Sequence, residues 1–492
     1  MPAMNSTERI YLRMERPGFP CDIALINVLE PSPEGALPFE AVRAIFAQRR
    51  HRAPVLTRML APAPLGIGED RWTQASTLDL DAHMHHRTVP EPGDMDALLA
   101  TVMEVSKDPL DRSRPLWEAW YMTGLVGGAA ALVLRTHHAA IDGIGTMQLL
   151  QILFDTEPTP VELDKVAQPV EGRPYPSLLR RALFEVPNRV ATEVVTTGRI
   201  VKNVGAAVPR VVVGTPARAL GQAVPKFGSL LRLQQLPEPA HLPGYIPSPT
   251  AHPPVTVFNH HADNPRKSMA VISLPLQQIK QVRRGFPDVT VNDVLFALVT
   301  GALRDYLTHH DDLPGRPLRT TCPASIRVPG MTAGEGTHIT TIWIDLPVHL
   351  PDPAQRLLAV SASATAAKDA LPESLASWQN LADVGDLLLP GVVTAVMAFA
   401  GTPVFGLLPP TQNLTVSTVV GPAERLYLGT HQLTHMYARM IICPPIHLFV
   451  QALTYDGKID FSITTLEQLC PDPQALADGL RVELDRLIAA VP

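Results

Sequence analysis

Cysteine, glycine, aromatic residues and charge are all scarce in this 492-residue chain. Its four cysteines, Cys21, Cys322, Cys443 and Cys470, stand far apart with no CxxC spacing. That excludes a disulfide scaffold or a zinc knuckle and fits a reducing compartment. With only 31 glycines the chain cannot place one at every third position, so a collagen-like structure is excluded. Charged residues make up 18% of the chain, below the usual quarter, and 41 basic and 47 acidic side chains leave a net charge of only -6. That balance gives no electrostatic reason to expect nucleic acid as a partner. Met1 to Pro20 carries Glu8, Arg9, Arg13, Glu15 and Arg16 and no apolar core, so no secretory signal is expected there. One charge-free run, Leu387 to Leu408, reaches spanning length, but Pro390, Gly391, Gly401, Pro403 and Gly406 interrupt it and no basic cluster flanks it. A buried or membrane-resting segment is the expectation, rather than a span.

The chain does hold 46% hydrophobic residues, enough to bury a large core and exclude wholesale disorder, over a length that suggests two to four domains. It also holds 50 prolines, roughly twice the usual share. Seven of them fall between Pro237 and Pro254, and Pro158, Pro160, Pro169, Pro174 and Pro176 lie upstream. Segments so dense in proline cannot hold helix or central strand and read as connectors. They bracket residues 177–235, which carry nine basic side chains against Glu185 and Glu193, interleaved with apolar residues such as Leu178, Phe184 and Val194. Two readings of that stretch stand: an amphipathic helix on an anionic membrane surface, or a crossing helix with solvated arginines packed on both halves. The expected division is an N-terminal domain over 1–160, a linker over 161–262 and a C-terminal domain over 263–492.

Apolar spacing predicts helices over 36–60, 97–106, 147–154, 291–306, 354–370 and 472–490, with Thr290 or Asn292 as N-cap of the fourth. Strands are expected at Ala129–Arg135, continuous rather than alternating and so buried on both faces, at Ser268–Leu274, and at Thr340–Leu346. Ile446–Leu453 and Ile459–Thr465 read as a strand pair around Asp456-Gly457. The mixture describes an α/β or α+β chain.

The sharpest chemical feature is His137-His138-Ala139-Ala140-Ile141-Asp142-Gly143, at the end of the buried strand. A histidine in such a turn can act as a base near neutral pH, a carboxylate four residues on can hold the local backbone, and a glycine permits a sharp turn into a helix. No serine or cysteine sits in a recognisable nucleophile elbow, so covalent catalysis is not suggested. Adjacent histidines without a third ligand at metal spacing do not describe a zinc site. Alone, HxxxD reads as structural histidines beside an N-cap aspartate, because short motifs recur by chance. His83, His85 and His86 with Asp81 form a second cluster, whose spacing puts His83 and His85 on one face of a strand, expected at the surface.

Context changes the reading of the first motif. Upstream lies Pro109-Leu110-Asp111-Arg112-Ser113-Arg114-Pro115-Leu116-Trp117-Glu118. Here the chain resembles the bacterial wax ester synthase/acyl-CoA:diacylglycerol acyltransferase family, whose PLDRxRPLWE and HHxxxDG signatures are both intact. Thr290-Val291-Asn292-Asp293-Val294-Leu295 with Gly301-Ala302-Leu303-Arg304, Pro323-Ala324-Ser325-Ile326-Arg327, Ser417-Thr418-Val419-Val420-Gly421-Pro422 and Tyr455-Asp456-Gly457 are similar to further family motifs in the same order.

The resemblance implies two chloramphenicol-acetyltransferase-like domains of mixed sheet and helices, joined by a long linker, with an active site in the tunnel between them. It implies acyl-CoA as co-substrate, no metal and no other cofactor, and diacylglycerol or a fatty alcohol as acceptor. On the same carry-over His138 is the general base, His137 supports it, and Asp142 and Gly143 shape the loop. Arg327 is the candidate partner of Asp142, while Asn292, Ser417 and backbone N–H groups beside Gly143 are candidates for holding substrate or oxyanion. Thr418, Val420 and Thr337 depart from the family pattern and bear on the acceptor pocket. A cytoplasmic chain resting on a membrane or lipid droplet is expected. The alternatives are an acyltransferase for another lipid hydroxyl, or a weakly active or inactive paralogue that binds lipid.

Overall fold

The computed structural model describes residues 4–32, 35, 37–63, 70–75, 77–162, 252–325, 339–370, 410–442, 444 and 446–492. In the first half, helix α1 (Ser6–Met14) opens on a capping box in which Asn5 and Glu8 exchange hydrogen bonds of 2.9 and 2.8 Å. Strand β1 (Asp22–Leu29), helix α2 (Phe39–Arg49), the ribbon β2 (Arg58–Ala61) and β3 (Arg71–Gln74) and strand β4 (Met84–Thr88) follow. Helix α3 (Met95–Val105), strands β5 (Trp117–Thr123) and β6 (Ala130–His137) and helix α4 (Gly143–Leu153) complete this part. The second half runs β7 (Lys267–Pro275), α5 (Leu276–Gly285), α6 (Val291–His309), β8 (Leu318–Ser325), β9 (Ile339–Leu346) and α7 (Pro353–Asp369). It ends with β10 (Leu414–Val420), β11 (Tyr427–Leu428), β12 (His431–Arg439), β13 (Leu448–Tyr455), β14 (Lys458–Leu466) and α8 (Pro473–Ala489).

The strands form two six-stranded mixed sheets, ordered β11-β12-β1-β6-β5-β4 and β7-β14-β13-β10-β8-β9. Pairs β4/β5, β8/β10 and β10/β13 are parallel and the rest antiparallel. Strand β6 is buried along its whole length, as its continuous apolar run predicts. Thr290, not Asn292, caps α6: its hydroxyl accepts from Asp293 N–H at 3.2 Å, and Asp293 accepts from Thr290 N–H at 2.8 Å. The helix expected over 36–60 stops at Arg49. Beyond it Arg50–Arg52 and Pro54–Thr57 tighten into 3₁₀ turns, since Pro54 lacks an N–H and disfavours helix at its predecessor.

The second sheet separates two environments by simple alternation. Leu414 and Val416 of β10 and Val450 and Ala452 of β13 pack with α5 to α8 in one core. Phe449, Leu453 and Tyr455 point the other way and join Leu25, Leu134 and Leu150 of the first half. The same alternation turns Thr415, Ser417 and Val419 toward the first half, where Val419 packs against that core.

The expected domain boundary at 263 needs one amendment, because β11 and β12 belong to the first sheet. Strand β12 pairs with β1, Ala24 opposite Arg439 through Asn27 opposite Met436. Its outer edge presents alternate N–H groups, and β14 side chains take them: Asp460 accepts from Met436 at 2.8 Å, Ser462 from Ala438 at 2.9 Å and Thr464 from Met440 at 3.1 Å. The buried Tyr455 hydroxyl closes the approach, accepting from Leu426 N–H at 2.8 Å and donating to Leu433 C=O at 3.1 Å. Tyr455→Phe orphans that N–H and should cost about 1–3 kcal/mol, read as a lower urea midpoint with an unchanged m-value.

Among the described residues no helix is long and apolar enough to cross a membrane. Leu387–Leu408 and the basic stretch 177–235 lie outside the described residues.

Candidate active site

Strand β6 delivers the histidine pair to the sheet's end, and hydrogen bonds fix the turn that follows. His137 N–H donates to Leu116 C=O at 3.0 Å, and His138 N–H to Cys21 C=O at 2.9 Å. Leu116 is therefore the carbonyl that anchors His137, while Trp117 beside it is core, stacked between His83 at 4.5 Å and Phe46 at 5.6 Å. Asp142 is the N-cap of α4: its carboxylate accepts from Gly145 N–H at 2.8 Å, and its carbonyl takes the Thr146 N–H and hydroxyl at 2.8 and 2.9 Å. Gly143 does not serve the turn as expected. Its φ lies outside the left-handed region, and a Cβ there would meet Val419 Cγ2 at 3.5 Å, an ordinary contact. The Asp142 cap makes the turn, and Gly143 marks where β10 meets the loop.

Helix α1 covers the histidines from the other side, a role the sequence reading missed. Tyr11 lies flat on the His138 ring, centroids 4.3 Å apart and planes 4° from parallel. One turn on, Glu15 sits beneath His137 with its side chain only 3% exposed. Cys21 N–H donates to it at 3.0 Å, and Arg112 of the PLDR motif at 2.9 and 3.2 Å. Spacing of i, i+4 puts both side chains on one helical face, the single local signal available in the sequence.

Electrostatics suit a neutral base. Burial pushes the His138 imidazole down to about 4, although hydrogen bonding to the backbone of His138 itself and the Asp142 charge pull the other way. Burial would raise Glu15, yet the approach of His137, the Cys21 N–H and Arg112 outweigh it and hold the carboxyl below the usual range. Beside them Asp22, opposite His137 in the β1–β6 register, accepts from Arg135 Nε at 3.0 Å and from Arg439 of β12. The crossing strand is thus tied by charge to the strand that carries the histidines.

The other candidates fall in different places. Ser417 is buried on β10, on the face whose Val419 meets Gly143. Asn292 is exposed in the first turn of α6, in the helical layer on the opposite face of that sheet, and the structure does not bring it to the loop. Arg327 lies outside the described residues. His83, expected on a surface strand, instead precedes β4 and is buried, its Nδ1 2.8 Å from Trp117 C=O. Among the described residues no cluster of three metal-ligating side chains occurs.

Comparison with known proteins places this geometry. Residues 4–295 match the wax ester synthase/diacylglycerol acyltransferase catalytic domain, and residues 335–488 match the C-terminal domain of the same family. The chain belongs to the wax ester synthase/diacylglycerol acyltransferase family. As a member of that family it is an acyltransferase. A Mycobacterium tuberculosis relative, "Probable diacyglycerol O-acyltransferase tgs2", is 29% identical over 496 residues that span 100% of both chains. The solved wax ester synthase/diacylglycerol acyltransferase of Marinobacter aquaeolei VT8 superposes with a TM-score of 0.67 at 20% identity, covering 100% of both chains. A trichothecene 15-O-acetyltransferase from Fusarium sporotrichioides shares the fold at TM-score 0.55 and 10% identity, over 99% of this chain and 95% of that one.

Proposed function

We propose that this family member moves a long-chain acyl group from acyl-CoA to the hydroxyl of diacylglycerol or a fatty alcohol, with His138 as general base. The observation that carries the reading is the half-buried His138 imidazole stacked flat on Tyr11 where the two sheets meet, in surroundings that favour its neutral form. His138 takes the hydroxyl proton as the acceptor oxygen attacks the thioester carbonyl. The tetrahedral intermediate then expels the CoA sulfur, and His138 returns the proton to it, leaving ester and free thiol. No acyl-enzyme forms. Two donors are offered to the oxyanion: the N–H groups beginning α4 beside Gly143, which have no intrahelical acceptor, and the Ser417 hydroxyl. Asp142 holds the loop, with Arg327 its proposed charge partner. The basic, apolar residues 177–235 support a peripheral membrane or lipid-droplet location.

The test is thiol release from palmitoyl-CoA with either acceptor, followed across pH. A base held near 4 is already neutral at pH 6, so kcat/KM should stay level down to about pH 5 and fall only below it. The linked stability runs the same way: a histidine depressed in the folded state stabilises fully above its unfolded value near 6.5 and loses that contribution as pH falls toward 4. An acid limb centred at 6.5 would refute a base held neutral below that pH. Absence of thiol release with both acceptors would refute the function.

A further inference from the structure

We infer that Glu15 is a positioning residue for the histidine pair, acting through His137. The inference rests on the reading of His138 as base. His137 is wholly buried, and its Nδ1 accepts the Ala139 N–H at 3.0 Å. Only an unprotonated nitrogen can accept, so the ring proton sits on Nε2. Nε2 faces Glu15 Oε2 at 3.4 Å, within ion-pair reach but outside hydrogen-bond geometry, and among the described residues it has no hydrogen-bond partner. A carboxylate charge facing Nε2–H therefore favours the tautomer whose Nδ1 holds the chain directly after His138.

The contacts close into a ring. Cys21 gives its N–H to Glu15 and its C=O to the N–H of His138, so both sides of the histidine pair hang on one residue of the segment between α1 and β1. Arg112 fixes the carboxylate from the solvent side, its own side chain 41% exposed against 3% for Glu15. The role gives the PLDR arginine a purpose that the motif alone does not reveal. It is an orienting role of the kind a buried carboxylate plays behind a functional histidine, and Glu15 itself touches no reacting atom.

Glu15→Gln keeps the shape and removes the charge. We expect kcat to fall about 10- to 100-fold, with KM for palmitoyl-CoA changed less than about twofold. His137→Asn retains an acceptor near the Nδ1 position but loses the ring edge that faces Glu15. In that background Glu15→Gln should alter the rate less than about twofold, because its route through the His137 ring is gone and Gln can still accept the Cys21 N–H. In ¹⁵N-histidine-labelled protein the His137 signals, assigned by their loss in His137→Asn, should report one Nε2–H tautomer in the wild type and an average of two in Glu15→Gln. Losses that multiply in the double variant, or a single tautomer retained in Glu15→Gln, overturn the inference. Should Glu15→Gln fail to fold, Arg112→Gln loosens the same carboxylate from outside, and its loss of rate must likewise vanish in the His137→Asn background. His138→Ala separates the two readings: activity retained there removes the base, whereas an inactive His138→Ala beside multiplicative Glu15 losses removes only the role of Glu15.

Discussion

His138→Ala is expected to lower kcat by about 10² to 10⁴-fold, the contribution of a well-placed general base. The fold should survive the change. The loop's main bonds, from His138 N–H to Cys21, from Ala139 N–H to His137 and from Gly145 N–H to Asp142, do not use the His138 ring, which itself bonds to the backbone of His138 and Ile141. The far-ultraviolet spectrum and a single cooperative unfolding transition should therefore be kept, at a melting temperature lowered by the lost packing, which separates a lost base from a lost structure. The substitution also leaves a ring-sized gap against Tyr11. Added imidazole should enter that gap and restore part of the rate. Activity within tenfold of wild type would show that the proton leaves the acceptor hydroxyl by another path.

The largest expected effect on stability lies far from this loop. Arg356 on α7 and Glu483 on α8 form a fully buried ion pair, with Nη2–Oε1 at 2.5 Å and side chains 1% and 0% exposed. Arg356 also donates to the carbonyls of Leu350 and Pro351 at 2.9 and 2.8 Å. Gly301 of α6 makes the room, since a Cβ there would stand 2.2 Å from Glu483 Cδ. Arg356→Met leaves the buried carboxylate only the longer Arg486 contact at 3.3 Å and should cost about 3–5 kcal/mol in urea unfolding. Burial already pushes the Glu483 carboxyl up against the pull of Arg356 and Arg486. Without Arg356 it rises further, so the cost should be smaller at pH 5, where protonation relieves the buried charge, than at pH 8. Arg356→Met with Glu483→Leu should recover most of the loss, because two apolar side chains need no partner. A double variant as unstable as the single one would mean that the lost carbonyl bonds, not the stranded charge, set the cost.

Much of this molecule is legible in its sequence wherever local chemistry decides. The buried run of β6, the Thr290–Asp293 cap and the hairpin at Asp456-Gly457 each follow from neighbours a few residues apart. The histidine motif is different: alone it reads as structural histidines beside an N-cap aspartate, and its role rests on the resemblance carried by motifs elsewhere in the chain. What escaped was set by distance along the chain. Tyr11 and Glu15 show the spacing of one helical face, but nothing near them announces that the face covers histidines more than a hundred residues later. Asn292 belongs to a family-like motif, yet α6 packs on the far face of the sheet, against Leu414 and Val416 of β10. Gly143 suggested an unusual dihedral where the Asp142 cap suffices. His83, expected on a surface strand, is buried because Trp117, more than thirty residues later, stacks on it and accepts from its ring.

The crossing of β12 sets an order of events during synthesis. Thr434 bonds to Val28 across 406 residues of sequence. The strand bearing the histidines leaves the ribosome long before that partner exists. At about 5–20 residues per second, the roughly 300 residues between β6 and β12 take about 15–60 seconds to make. Throughout that interval β1, every residue of which is buried in the finished protein, offers an open apolar edge to any other strand within reach. The first sheet is begun by the nascent chain's earliest residues and finished by nearly its last, so the chain acquires its proposed base well before it can hold that base in place.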